Sequence, residues 1–279
     1  MQTEVMSLTI SAFLAAAASA QTYVTESTER VVHLANAPTS KGFQEMATAL
    51  RVVAQISKVT IDSEHNSFNL RGNRSDLAMA DWMIHMMDKP AGWQPSNQEV
   101  WNPATREYRV AADRNPVARV YYLANTTSAR DLQEIITVLR SVANIQKIFS
   151  YTPATVVVYR GSVEEVELGE WLIRKLDLPV TAHASAQGVE ALQQESPVDV
   201  FRLSAPQRDG SEDLVRVFYL NPTVSAQVIN EMTSAMHKRG GIMRVFSHTA
   251  PPAIAVRGNP TELARAKRII EEMETAAAR

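Results

Sequence analysis

The sequence predicts an α+β protein made of three tandem β-α-β-β-α modules, each a small sheet with two helices on one face. Residues 30–90 align with residues 119–179 without a gap and are identical at 20 of these 61 positions, and a looser third copy begins at Arg216. The same dipeptide recurs at the corresponding place in every copy, as Arg71-Gly72, Arg160-Gly161 and Arg257-Gly258. A repeat that keeps its register over this length indicates a repeated unit of structure.

Each module is expected to begin with a strand and a helix. The opening strand is RVYYL (119–123) in the second copy, with counterparts at 30–34 and 216–220. Apolar residues then follow at helical spacing, as Phe43, Met46, Ala47, Leu50 and Val53 in the first copy and Leu132, Ile135, Ile136, Leu139 and Val142 in the second. Thr39, Ser128 and Ser225 precede these helices and are expected N-caps, because a side-chain oxygen there can accept a hydrogen bond from a free backbone amide.

Two short strands and a turn lead into the second helix. We expect strands at 58–62 and 67–70, 147–151 and 156–159, and 244–248 and 253–256. Gly72, Gly161 and Gly258 are assigned to the structural turn after the last strand of each copy, and are expected at positive φ, which glycine tolerates. Asn73, Ser162 and Asn259 are expected N-caps of the second helix, and Ser162–Glu165 and Asn259–Glu262 have capping-box spacing.

The second helix has a defined end and three positions of interest. A proline follows two residues after Asp88 and Asp177, and proline cannot continue a helix. Trp82 and Trp171 align on this helix, where the third copy has Arg268, and we expect the two tryptophans to be packing residues. For the arginines of the turn, Arg71, Arg160 and Arg257, we favour structural ion pairs over contacts with a partner.

The domain limits follow from the repeat and from changes in composition. We predict a signal peptide at 1–20, modules at 21–90, 105–179 and 198–275, and linkers at 91–104 and 180–197. Residues 106–112 and 198–204 are predicted strands that form hairpins with the next module's opening strand, and 21–27 is expected to do so in the first module. A unit of about 60 residues is marginally stable alone, so contacts between units are expected.

The N-terminus predicts export. The apolar run in LTISAFLAAAASAQ (8–21) ends in a small-x-small site, with cleavage expected after Ala20, although the stretch before it contains Glu4 and no basic residue. No later stretch is long and apolar enough to span a bilayer, so we expect a periplasmic or secreted chain without a membrane span in its mature form. The formal net charge of −2 gives no overall attraction to nucleic acid or anionic membranes.

The residues that could carry chemistry do not form a recognisable site. Cysteine is absent and the six histidines are scattered, so no metal site is predicted. Neither a Gly-x-Ser-x-Gly elbow nor a phosphate-binding glycine loop occurs. The carboxylates of VEEVELGE (163–170) suit the positive end of a helix dipole. We therefore expect no catalytic residues, no cofactor and no enzymatic activity.

A candidate partner surface comes from the alternation of side chains along the strands. The side of the second sheet that faces away from its helices carries Val120, Tyr122, Phe149, Tyr151, Val156 and Val158, which is too apolar for open water. The third sheet is intermediate, with Val217, Tyr219, Phe246, His248, Ala253 and Ala255, and the first is polar, with Val31, His33, Thr60, Asp62, Ser67 and Asn69.

From these two apolar faces we select six residues as the candidate partner surface, namely Tyr122, Phe149, Tyr151, Val158, Tyr219 and Phe246. Its cover is expected to be the preceding segment (through Trp93, Trp101 or Tyr108), a neighbouring module, or a partner. The alternative is a register error in one strand, which would move Phe149 into the core.

Together, RVYYLANTTSARDLQEIITVLRSV (119–142) and VVVYRGSVEEVELGEWLIRKLDLP (156–179) resemble the short repeated N-domains of bacterial secretins, a KH-like module. The matching features are the Leu-x-Asn after the first strand, the Asp-Leu-x-x-Ile-x-x-x-Leu helix, the strand that ends before glycine, and the closing Leu-Asp-x-Pro. The third copy departs from this pattern, since Glu274 stands where aspartate is usual. The resemblance implies periplasmic modules that pack side by side or dock onto other components, and without the secretin pore domain we expect no pore.

The first functional hypothesis is a non-enzymatic envelope protein that makes protein–protein contacts in a secretion or pilus-type outer-membrane assembly. Its partners would be envelope proteins, including a secretin or further copies of the chain. The alternative is a KH-like nucleic-acid-binding protein, although KH modules clamp their ligand with a Gly-x-x-Gly loop that no copy contains. A third hypothesis is a regulatory or substrate-binding fragment of an enzyme system.

Overall fold

The computed structural model describes residues 27–36, 38–90, 93, 106–111, 113–126, 128–179, 182 and 200–277. Within these residues lie three antiparallel sheets and six α-helices, arranged as three β-α-β-β-α modules. This architecture confirms the predicted fold class. The predicted signal peptide, Trp101 and most of residues 21–27 and of the two predicted linkers lie outside the described residues.

The three modules have the same order of elements. Module 1 contains β1 (Thr28–His33), α1 (Ser40–Val52), β2 (Lys58–Asp62), β3 (Ser67–Gly72) and α2 (Arg74–Met87). Module 2 contains β4 (Glu107–Arg109), β5 (Val117–Tyr122), α3 (Ala129–Ser141), β6 (Lys147–Tyr151), β7 (Val156–Gly161) and α4 (Val163–Leu176). Module 3 contains β8 (Val200–Arg202), β9 (Leu214–Tyr219), α5 (Ala226–Lys238), β10 (Arg244–Thr249), β11 (Pro252–Gly258) and α6 (Pro260–Ala277).

In each sheet the last strand of the module lies in the middle. The strand orders are β1-β3-β2, β4-β5-β7-β6 and β8-β9-β11-β10. The extra strands β4 and β8 form hairpins with the opening strands of their modules, with Glu107 opposite Arg119 and Val200 opposite Arg216. The hairpins predicted within 106–112 and 198–204 are therefore present.

The first helix of every module is held by the expected N-cap. The side chains of Thr39, Ser128 and Ser225 each accept a hydrogen bond from the backbone amide three residues further on. The apolar stripes predicted for α1 and α3 are buried, and in module 2 they pack with Tyr121, Ile148, Val157 and Tyr159 of the sheet. The register of the strands is therefore the predicted one.

The turn glycines are not at positive φ, so that part of the sequence prediction is wrong. Among the described glycines only Gly210 and Gly241 have positive φ. A Cβ atom on Gly161 would instead lie 2.9 Å from Glu165 Oε2, and one on Gly258 would lie 2.5 Å from Glu262 Oε2. In both modules the space beside the glycine is taken by the carboxylate of the capping box.

These capping boxes are complete. Ser162 N donates to Glu165 Oε2 at 2.9 Å while Ser162 Oγ accepts from Glu165 N at 3.2 Å. Asn259 and Glu262 form the same two bonds, at 2.8 and 2.9 Å. Module 1 has the shorter Asp76 at the corresponding position, and a Cβ atom on Gly72 would meet nothing closer than Ile56 Cδ1 at 3.4 Å. Glycine is therefore needed where glutamate folds back over the turn.

The aspartates at the ends of the second helices do more than precede the proline that ends the helix, because they also accept hydrogen bonds from a neighbouring loop. Both Asp177 oxygens accept backbone amides of the loop after β5, from Ala124, Asn125 and Thr126, at 2.7–2.8 Å. Asp88 accepts the amides of Ala35 and Asn36 in the same way. The Leu-x-Asn and Leu-Asp-x-Pro motifs are thus two halves of one contact, which joins the end of the second helix to the start of the first.

Replacement of the turn glycines by alanine tests whether glycine is needed because the capping carboxylate lies close to it. We expect Gly161→Ala and Gly258→Ala to lower the free energy of unfolding by about 1 kcal/mol relative to Gly72→Ala, because the new Cβ displaces the capping carboxylate. Chemical denaturation measures the difference, and Gly72→Ala controls for the reduced entropy of the unfolded chain. In a Glu165→Ala background the cost of Gly161→Ala should largely disappear, and an unchanged cost there would contradict the explanation.

Candidate interaction surfaces

The apolar face of the module 2 sheet is covered by the helices of module 1, in a contact that we call junction 1. Val120, Tyr122, Tyr151, Val156 and Val158 share one apolar core with α1 and α2, and Phe149 packs at its margin. Tyr122 is 1% exposed and Val158 is fully buried. The sequence left three candidates to cover this face, and the neighbouring module is the main one. The alternative of a register error in one strand is wrong.

The module 3 sheet is covered in the same way by α3 and α4 of module 2, at junction 2. Val217, Tyr219, Ala253 and Ala255 belong to the module 2 core, and Phe246 packs against it. All six residues of the candidate partner surface therefore lie at junctions within the chain, where they face the preceding module rather than a separate protein.

A tyrosine hydroxyl crosses each junction. Tyr122 Oη donates to the carbonyl oxygen of Met86 at 2.7 Å, and Tyr219 Oη donates to that of Lys175 at 2.9 Å. The two tyrosines occupy the same position of the repeat, and so do the two acceptors in the last turn of α2 and α4. A buried hydroxyl needs such a partner, so these bonds fix the position of the sheet along the preceding helix.

A glutamate of the first helix holds the β-hairpin of the next module. Glu45 accepts the backbone amide and the hydroxyl of Thr152 at 2.8 and 2.9 Å. Glu134 accepts the same two groups of Thr249 at 2.8 and 2.7 Å. A carboxylate that accepts two hydrogen bonds is a strong and directional contact. Both junctions therefore have the same register.

The arginines of the Arg-Gly turn tie the modules together as well as the turn. Arg160 and Arg257 form the expected ion pairs, with Asp113 and Asp213, each at 2.7 Å. Their Nη1 atoms also point to the preceding module, 3.4 Å from the carbonyl oxygen of Val53 and 3.1 Å from that of Val142. Arg71 has no preceding module within the described residues, and its Nε donates to Ser27 Oγ at 2.9 Å.

Aromatic contacts close one side of each junction. Trp82 of α2 lies 5.6 Å from Tyr108, and Trp171 of α4 lies 5.9 Å from Phe201, measured between ring centroids. Tyr108 and Phe201 are on the extra strands β4 and β8. Trp93 adds a contact at 4.8 Å to Tyr122. The tryptophans are thus packing residues, as expected, and the extra strands help to join the modules.

The two outer faces of the array carry polar residues at the junction positions. On the sheet of module 1, His33, Ser63 and Arg71 stand where modules 2 and 3 have tyrosine, threonine and the junction arginine. On the helices of module 3, Glu231, Arg239 and Arg268 are exposed where module 2 has Glu134, Val142 and Trp171. These faces resemble the polar caps of other repeat proteins.

The buried charges of module 2 serve the fold. Arg119, only 7% exposed, donates to both Glu170 and Glu107. Module 1 has the same strand-to-helix pair as Arg30 with Asp81. In module 2 the guanidinium of Arg119 therefore joins Glu107 of β4 to Glu170 of α4.

His248 is a titratable group inside junction 2. It is fully buried on β10, which packs against α3, and it occupies the repeat position of Tyr151. Its Nδ1 lies 3.0 Å from the carbonyl oxygen of Pro251, so Nδ1 carries the proton, and Nε2 has no hydrogen-bond partner among the described residues. Burial lowers the pKa of His248, and the carbonyl bond and the nearby Glu134, Asp131 and Asp177 oppose that effect only in part.

Two further properties of the described residues bear on function. None of their His, Asp and Glu side chains come together in a group of three or more that could hold a metal ion. No described helix has an apolar stretch long enough to cross a bilayer.

The junction residues Glu45, Glu134, Thr152 and Thr249 were missed in the sequence analysis, although the repeat contained a signal for them. Glu45 and Glu134 are identical between copies, and Thr152 and Thr249 are identical between the next two. Identity between copies is a weak signal, however, because the exposed Gln44 and Gln133 are identical as well, and Glu231 keeps the glutamate with no module after it among the described residues.

The matches of this chain among known proteins are to solved structures of low similarity. No family model matches the chain, and no curated protein matches it. Among solved structures, Aeromonas hydrophila ExeD is 15% identical with a TM-score of 0.20, and the match covers 90% of this chain and 41% of ExeD. The E. coli K12 type II secretion system secretin GspD is 14% identical with a TM-score of 0.19, covering 90% and 39%.

A shorter structure, XcpQN012, is 11% identical with a TM-score of 0.26, and the match covers 89% of this chain and 99% of that one. The chain spans about two fifths of the length of ExeD and GspD.

Removal of the junction carboxylate should destabilise the array. We expect Glu134→Ala to lower the free energy of unfolding by about 1–3 kcal/mol, because the amide and hydroxyl of Thr249 lose a charged acceptor. Chemical denaturation measures the effect. Glu231→Ala is the matched control, since this glutamate has the same repeat position with no module after it within the described residues, and should change stability by less than about 0.5 kcal/mol. Equal effects of the two variants would contradict the assigned contact.

The burial of His248 predicts loss of stability in mild acid. Because the pKa of this histidine is about 6.5 in the unfolded chain and lower in the folded chain, the unfolded chain takes up the proton first. Stability is therefore retained above pH 6.5 and falls below it, by up to about 1.4 kcal/mol per pH unit from this group.

Denaturation curves from pH 8 to pH 5 test this, with His248→Asn as a variant that cannot titrate but keeps an N–H donor. We expect the variant to lose less stability than the parent below pH 6.5. The control His237→Asn, at an exposed position, should follow the parent. Identical pH profiles for all three proteins would refute the role of His248.

Proposed function

We propose that the chain is a non-enzymatic protein of the bacterial periplasm that makes protein–protein contacts in a secretion or pilus-type outer-membrane assembly. The predicted signal peptide and the secretin-like motifs, which match best in module 2 and most loosely in module 3, support this proposal. The limits 21–90, 105–179 and 198–275 for the modules, with linkers at 91–104 and 180–197, are part of it. The partners are envelope proteins, including a secretin or further copies of the chain.

The observation that carries the proposal is that both junctions repeat the same three polar contacts. Two junctions with one register hold three modules at a fixed spacing, as expected of a scaffold. The apolar sheet faces of modules 2 and 3 are used within the chain, so the flanks are among the surfaces left for partners. The edge strands β2, β6 and β10 lie there, and an edge strand can pair with a strand of another protein.

Cell fractionation tests the location. We expect a C-terminally tagged chain in the periplasmic or envelope fraction, with an N-terminus created by cleavage after Ala20. Ala20→Arg should leave the precursor uncleaved, because signal cleavage requires small residues at this site. A full-length chain in the cytoplasm that retains Met1 would refute the proposal.

Photo-crosslinking tests the contacts. A photoreactive residue at Lys58, which is exposed on β2, should give a discrete adduct with an envelope protein or a second copy. The adduct should be lost when the predicted signal peptide is deleted and the chain stays in the cytoplasm. A photoreactive residue at the exposed Gln44 of α1 is the control away from the sheet edges. The absence of a discrete adduct from Lys58 in the exported chain would contradict the proposed role of the flanks.

A further inference from the structure

Junction 2 contains two ionisable residues at positions that Gly42 and Tyr151 hold in junction 1. His248 of β10 corresponds to Tyr151, and Asp131 in the first turn of α3 corresponds to Gly42. The β6–β7 loop passes close to Gly42, since a Cβ atom there would lie 3.3 Å from Pro153 Cγ. Because both junctions have the same register, Asp131 lies beside the corresponding loop of module 3, which follows His248.

The surroundings of His248 suit a neutral imidazole and not a charged one. The ring is fully buried on β10, which packs against α3. Its Nδ1 donates to the carbonyl oxygen of Pro251 at 3.0 Å, and its Nε2 has no hydrogen-bond partner among the described residues. Protonation would therefore place a positive charge and a second N–H group where neither water nor an acceptor receives them. Tyr151 stays neutral in junction 1, because burial raises its pKa to about 12.

The charged groups that act on His248 come from α3 and α4. Glu134 accepts two hydrogen bonds from the end of β10 and pairs with Arg130 at 3.0 Å. Asp177 accepts backbone amides of the loop after β5. Asp131 lies at the positive end of the α3 dipole. These carboxylates attract an imidazolium but offset only part of the cost of burial, so the pKa of His248 lies below its ordinary value.

Junction 2 buries smaller side chains than junction 1. Ala253 and Ala255 of β11 stand where β7 has Val156 and Val158, and all four are buried. The smaller side chains remove less apolar area from water when the modules come together. We therefore expect a given loss of free energy to open junction 2 before junction 1.

We propose that junction 2 is an acid-sensitive joint, at which protonation of His248 releases module 3 from the helices of module 2 while junction 1 stays closed. An imidazole in the released state meets water and has a pKa of about 6.5, whereas the pKa is lower in the closed joint. The closed state is therefore fully favoured above pH 6.5. Below that pH the ratio of closed to open joints falls by up to about tenfold per pH unit. This response is a property of the chain alone and does not rest on the proposed function.

Distances across the two junctions test the proposal. The chain has no cysteine, so introduced cysteines take spin labels at chosen positions. Gln44, Gln133 and Asn230 are exposed and occupy one repeat position in the three modules. Gln44→Cys with Gln133→Cys reports junction 1, and Gln133→Cys with Asn230→Cys reports junction 2. Pulsed EPR in a urea series gives the midpoint at which each distance is lost, and the series is repeated at pH 7.5, 6.5 and 5.5.

We expect the junction 2 distance to be lost at lower urea than the junction 1 distance, and its midpoint to fall further at pH 5.5. His248→Tyr, which restores the residue of junction 1, should remove most of this acid dependence, and His248→Asn serves the same purpose with a smaller side chain. The exposed His237→Asn is the control and should behave like the parent.

Three results would each overturn the proposal. The first is loss of both distances at one midpoint, which would show that the modules open together. The second is an equal acid dependence in the parent and in both His248 variants. The third is a junction 2 midpoint that rises in acid, because the imidazolium would then be stabilised across the joint, with Asp131 as its nearest unengaged carboxylate.

Discussion

Modules 2 and 3 each have a sheet that is apolar on both faces, and a sheet of this kind is stable in water only when both faces are covered. Each module supplies its own helices for one face, and the preceding module supplies helices for the other. One unit of about 60 residues buries too little surface to be robust alone. Modules 2 and 3 therefore depend on the helices of the preceding module for their stability. The polar contacts of the junctions fix the position of those helices on the sheet.

The same constraint explains where the modules differ from one another. A face that packs against a neighbouring module carries apolar residues, tyrosine and tryptophan. The two outer faces do not pack against a module within the described residues and carry polar residues instead. His33 and Thr60 on the first sheet, and Arg239 and Arg268 on the last helices, replace residues that would otherwise expose apolar surface at the two ends. Repeat proteins need such ends because an exposed apolar end face would recruit further copies. The divergence of the outer modules therefore fits the lack of a neighbour for these two faces among the described residues.

Local patterns in the sequence predicted the strands and helices, whereas contacts between distant residues were missed. The strand faces and helix stripes were correct, because alternation and helical spacing are properties of a few consecutive residues. The prediction of a positive φ at Gly161 was wrong, because a recurring glycine does not show whether the backbone is left-handed or a carboxylate lies close to it. The bond from Glu45 to Thr152 joins residues 107 positions apart, so no local pattern contains it. Comparison of the copies with one another gives only a weak signal for it, because exposed residues such as Gln44 are repeated as well.

That comparison also separates structural residues from candidates for binding. Residues that both junctions repeat, such as Glu134 and Tyr219, are explained by the stacking of modules and need no ligand. Exposed arginines such as Arg208 and Arg244 carry no signal of this kind, because a charged side chain in water needs no partner and such side chains are ordinary on a protein surface. The edge strands β2, β6 and β10 are better candidates, because an edge strand can be extended by a strand of another protein.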